Sequence, residues 1–87
     1  MIAGDEEAKK SFAGLHRELK RFGYTTELIP KQINKTLWMI NAVNCFGEIS
    51  TIYLNEGRTG KVVMQSDEHA HIGIYEKEYL GLDIPFS

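Results

Sequence analysis

The sequence predicts an α+β domain, a single N-terminal helix packed on an antiparallel sheet of about four to five strands. Three observations point there. Ala8, Phe12, Leu15, Leu19 and Phe22 recur at steps of four, three, four and three, which places them on one side of a 3.6-residue helix. From Tyr24 onward the apolar residues come in short, β-branched, roughly alternating runs broken by Gly and Asn, as strands do. The connections between those runs are short, and short connections favour antiparallel neighbours over parallel crossovers.

The helix has boundary signals at both ends. Asp5 can cap its first turn, and Glu6 and Glu7 suit the positive end of the macrodipole. Lys20 and Arg21 suit the negative end, and Gly23 stands where a left-handed residue stops a helix. A helix over 5–22 runs roughly 27 Å, enough to cross a small sheet. Lys9, Lys10, His16, Arg17, Lys20 and Arg21 fall opposite the apolar stripe, so burying the stripe leaves a basic outer face.

Beyond Gly23, Tyr24–Leu28 reads as a short strand ended by Pro30, and Thr36–Val43 is the strongest strand pattern in the chain. Asn44-Cys45-Phe46-Gly47 reads as a hairpin turn into Glu48–Leu54. A longer turn, 55–60, leads into Lys61–Gln65, and Ser66–Glu68 breaks the pattern before a run at His71–Tyr75. At the end, Leu80, Leu82, Ile84 and Phe86 alternate with Gly81, Asp83 and Pro85. Period two implies an edge strand or extended arm, since Pro85 cannot donate to a ladder. A helical turn over Glu76–Leu80 capped by Gly81 is the competing reading.

The 87 residues are read as one domain, 1–87, without repeat or linker. Apolar content of 43% and charged content of 25% argue against disorder. The single Cys45 rules out an internal disulfide and suits a reducing cytoplasm. No apolar run approaches the ~20 residues that span a bilayer, and the first residues lack a signal-peptide pattern. The expected location is therefore cytoplasmic, with no membrane contact. The net charge of −2 disfavours general nucleic-acid affinity. It is unevenly spread: five of the ten Lys and Arg lie within 9–21, whereas 62–87 holds five acids (Asp67, Glu68, Glu76, Glu78, Asp83) against Lys77 alone.

Chemistry-bearing motifs are weak. Asp67, His69 and His71 are the one metal-like group, and residues two apart on a strand can converge on an ion. No second cluster supplies further ligands, so no metal or other cofactor is expected. Gly57-Arg58-Thr59-Gly60-Lys61 is not a Walker A loop, having two residues between its glycines and Val62 after the lysine. It resembles the GxxG loop of KH domains, which clamps a nucleic-acid backbone between two helices, although the flanking residues here read as strands. Cys45 has no adjacent base or cation to activate it. No catalytic residue can be assigned, and the chain is expected not to be an enzyme.

The sheet carries the better clue. Trp38, Ile40 and Ala42 share one face of their strand, and Leu37, Met39 and Val43, with Asn41, share the other. In the next strand Ile49 and Tyr53 oppose Ile52 and Leu54. Both faces are largely apolar, and one helix covers one face. The other needs the C-terminal segment, a second copy of the chain, or a partner. The expectation is a non-catalytic interaction module that occludes a surface of a larger protein or complex, with homodimerisation as a further option. In size and style it resembles phage-encoded inhibitors of host defence, anti-CRISPR proteins included. The contact candidates are the charged Asp67, Glu68, Glu76, Glu78, Lys9, Arg17 and Lys20, and the apolar Trp38, Tyr53, Leu82 and Phe86. Two readings compete: a nucleic-acid-binding regulator using the basic helix face and the 57–61 loop, and a small metal-dependent or enzymatic protein centred on His69 and His71.

Overall fold

The computed structural model describes residues 12–26 and 29–82. Helix α1 (Ala13–Arg21) precedes five strands, β1 (Lys31–Gln32), β2 (Leu37–Val43), β3 (Ile49–Glu56), β4 (Lys61–Ser66) and β5 (Gly73–Glu76), and a short helix α2 (Lys77–Leu80) follows directly. The strands pair antiparallel in sequence order, forming one meander. The α+β class is the one the patterns predicted. The expected helix start, with Ala8 and Lys9, lies outside the described residues.

Alternation in the strands decides which face is core. Trp38, Ile40 and Ala42 on β2, Ile52 and Leu54 on β3, and Val62 and Met64 on β4 are buried. Phe12, Leu15 and Leu19 from the helix stripe enter the same cluster, with Leu80 and Leu82 from the end of α2. Phe22 departs from its expected place: it caps α1 and is 42% exposed. The cause is the way the helix ends. Gly23 takes φ 85°, its N–H bonds the Lys20 carbonyl at 3.0 Å, and the Tyr24 N–H bonds the Leu19 carbonyl at 2.9 Å. That Schellman closure reverses the chain at Phe22 and swings Tyr24 into the core instead.

The same device closes α2. Gly81 is left-handed, and the N–H groups of Gly81 and Leu82 bond the carbonyls of Glu78 and Lys77. The helical-turn reading of this segment therefore holds through Leu82, while Ile84 and Phe86 lie outside the described residues. Of the expected strand Tyr24–Leu28, the described residues 24–26 form a bridge between Thr25 and Val43, and Glu27 and Leu28 lie outside the described residues.

Gly14 allows the two helices to meet. A Cβ at that position would overlap the carbonyl oxygen of Tyr79, so α2 lies against bare backbone of α1. Above this contact, Tyr79 donates to the buried Glu18 carboxylate at 2.9 Å, Arg17 lies over the Tyr79 ring at 5.5 Å, and Arg21 pairs with Glu18 at 3.1 Å. Among the described residues, no helix is long and apolar enough to cross a membrane.

Candidate protein-interaction surface

The helices share a core with one face of the sheet, and the register arranges the other face in rows. One row runs Leu37, Asn55, Val63, Ile74 across β2 to β5. The Ile33 N–H bonds the Leu37 carbonyl at 2.8 Å, which extends that row past β1. The next row runs Lys31, Met39, Tyr53, Gln65, and Val43 faces Ile49 at the hairpin end. Ile74 is 57% exposed, Ile49 76% and Ile33 48%, and Leu37, Met39, Tyr53 and Val63 are half-buried. The result is an apolar belt over β2 to β5, extended by Ile33 just after β1 and interrupted by Asn55, half-buried at its centre and exposed at its two ends. Charged groups stay at its margins. Lys31 stands at one edge, Lys61 and Glu76 pair at 3.7 Å at one end, and Asp67 accepts from the Thr51 N–H at the other.

A polar cluster ties the far end of β4 to the end of α1. Ser66 Oγ accepts the N–H groups of Glu68 at 3.1 Å and His69 at 2.8 Å, folding the turn after β4. The Tyr24 hydroxyl meets that turn, donating to Glu68 Oε2 at 2.9 Å, with Ser66 Oγ at 3.1 Å and His69 Nδ1 at 2.9 Å. Since Tyr24 gives its one proton to the carboxylate, Ser66 and His69 must donate to it, which places the imidazole proton on Nδ1. Asn44 Nδ2 donates to Glu68 Oε1 at 2.6 Å, while Asn44 Oδ1 accepts the N–H groups of Phe46 and Glu48 in the β2–β3 hairpin.

Hydrogen bonds from Tyr24 and then Asn44 hold the Glu68 carboxyl below its ordinary pKa. Burial, more than any neighbour, pushes the Tyr24 hydroxyl above its own. The cluster fastens the turn, and its Ser66 hydroxyl is fully engaged. Sequence reasoning missed it because Tyr24 and its three partners are 42 to 45 residues apart.

The remaining expected contact residues scatter. Trp38 and Leu82 are each 4% exposed in the core and present nothing to a partner. Among the described apolar candidates, Tyr53 alone lies on the open face. Arg17 and Lys20 are exposed on α1, beside a cleft of about 680 Å³ that also takes in Ala13, His16 and Tyr24–Thr26. Asp67 and Glu68 follow the end of β4, whereas Glu76 pairs with Lys61 at its start, about 17 Å away at the usual strand rise. The acids therefore form two groups rather than one patch. Glu78 lies in α2, and Lys9 and Phe86 are outside the described residues.

Among the described residues, no three His, Cys, Asp or Glu side chains come together to hold a metal. Gly57–Lys61 is a hairpin turn between two strands. The Gly57 N–H bonds the Lys61 carbonyl at 2.8 Å, and Gly60 takes φ 81°. No family model, curated protein or solved structure matches the chain.

Proposed function

We propose that the chain is a non-catalytic protein-interaction module that works inside the cell by covering a protein surface with the open face of its sheet. The observation that carries this is the uncharged belt of Ile33, Leu37, Met39, Tyr53, Val63 and Ile74, which runs from the end of β1 across β2 to β5 and is half-buried at its centre and exposed at Ile33 and Ile74. An apolar centre with charges confined to the margin is the anatomy of protein interfaces. It calls for a partner surface that is itself apolar and uncharged at its centre. The exposed Cys45 thiol suits a reducing compartment. Engagement of Ser66 and His69 with Tyr24 supports a structural role for the most reactive-looking cluster. Inhibition of a larger complex, in the manner of phage-encoded inhibitors, is the setting that size and style suggest.

The test compares capture by the tagged protein with capture by Val63→Lys, each from lysate of the native host. The reading expects a stoichiometric protein partner that the folded Val63→Lys variant loses. Retention of the same partner by that variant would place the contact elsewhere.

A further inference from the structure

We infer that the surface which the open face fits best is its own copy: two chains pack sheet against sheet as a twofold dimer. This rests on the reading of that face as a protein contact and names the partner. Three features of the face support it.

The first is charge. Lys31 and Lys61 are offset by Glu76 and Asp67 around the margin, and Lys61 and Glu76 are already paired. A face without net charge gives no attraction to an acidic or basic partner and no repulsion of a second copy.

The second is self-complementarity. A twofold axis parallel to the strands and passing over β3 lays β1 on the partner's β5 and β2 on the partner's β4. The belt then meets itself, Ile33 over the partner's Ile74 and Leu37 over the partner's Val63. Asn55, the one polar member of that row, lands on its own counterpart. A side-chain amide carries both donor and acceptor, so two copies can satisfy each other there. Aligned sheets pack about 10 Å apart in this way.

The third is size. Four strand spacings of about 4.8 Å and a mean strand length of about 18 Å, set by strands of 2, 7, 8, 6 and 4 residues, give on the order of 350 Å² per copy in projection. The corrugated accessible surface exceeds its projection, so two copies approach the roughly 1,000 Å² that marks a specific interface. That is the low end for a specific interface, so the dimer is expected to form in a concentration-dependent way.

The experiment is size-exclusion chromatography with light scattering on the full chain, from low micromolar to several hundred micromolar. The wild type is expected to pass from monomer to dimer mass. Val63→Lys should weaken the dimer roughly thirtyfold, as loss of a central contact does, while keeping its circular dichroism spectrum. Ile74→Lys, at a more exposed site, replaces it if Val63→Lys does not fold. In a Cys45→Ser background, Asn55→Cys should be joined to its copy by a short bis-maleimide spanning about 10 Å, and Arg58→Cys should not. A wild type that stays monomeric throughout overturns the dimer. If Val63→Lys nevertheless abolishes capture of a different protein, the dimer is wrong and the interaction reading stands. A dimer indifferent to Val63→Lys and not cross-linked through Asn55→Cys overturns the assigned face.

Discussion

The Tyr24 hydroxyl donates a 2.9 Å hydrogen bond to Glu68 Oε2, joining residues 44 apart in the chain. It does so because the Schellman turn after α1 points Tyr24 inward, and because Ser66 folds the turn that presents Glu68. The helix end, the β2–β3 hairpin through Asn44, and the turn after β4 therefore share one knot. Its neighbour His69 stands edge-on to the Phe22 ring at 6.2 Å. The exposed aromatic that the helix pattern misplaced covers the knot from outside.

Tyr24→Phe keeps the ring and removes the hydroxyl that Ser66, Glu68 and His69 share. Because the hydroxyl belongs to a side chain only 1% exposed, its loss should cost about 1–2 kcal/mol. Urea denaturation measures this. A change of less than about 0.5 kcal/mol would mean that the cluster does not contribute.

The same cluster sets a pH dependence with a definite sign. The folded-state pKa of Glu68 is depressed by the bonds from Tyr24 and Asn44. Its contribution is therefore complete above the ordinary carboxylate value of 4.5 and is lost as pH falls through the lower folded value. Burial raises Tyr24 and Tyr75, so their contributions are complete below 10.0 and are lost as pH rises through the higher folded values. Melting curves across pH should show a shallower acid limb for Glu68→Gln than for the wild type. Tyr24→Phe should flatten the alkaline limb. Parallel limbs in variant and wild type would contradict the assignment.

Gly14→Ala should invert the usual rule for helices. Alanine in a helix gains up to about 0.5–1 kcal/mol over glycine, less in the first turn where Gly14 lies. Here the new methyl group overlaps the Tyr79 carbonyl and must push α2 off α1, for a net loss of about 1–3 kcal/mol. Thermal melts decide the sign. A stabilised variant would show that the helices do not touch at this point.

Leu19→Ala and Phe22→Ala separate the true helix stripe from its apparent extension. Leu19 is fully buried, so truncation should cost about 2–5 kcal/mol. Phe22, exposed at the cap itself, should cost under about 1 kcal/mol. Equal losses would return Phe22 to the core.

Periodicity carried the fold because each signal was local. The stripe through Leu15 and Leu19, the alternation in 37–43 and the turn residues Asn44, Gly47 and Gly60 each act within a few residues. Phe22 failed because spacing alone continues a helix through its cap, whereas backbone reversal at Gly23 does not. Trp38 is a contact candidate in the sequence, yet it shares a face with Ile40 and Ala42, and that face is the one the helices cover. With both faces apolar, no local signal chooses between them. The Tyr24 cluster and the Gly14–Tyr79 contact join residues more than 40 positions apart, and only the assembled fold brings them together.

Solvent paramagnetic relaxation of methyl and aromatic NMR signals shows most directly whether the open face is the contact surface. With a soluble gadolinium chelate, Leu37, Val63 and Ile74 should become shielded as protein concentration rises or a captured partner is added. Phe46, 82% exposed at the β2–β3 hairpin, should stay fully relaxed and serves as the internal reference. Methyl groups on β2, β4 and β5 that remain as accessible as Phe46 under both conditions would contradict an interaction through the open face.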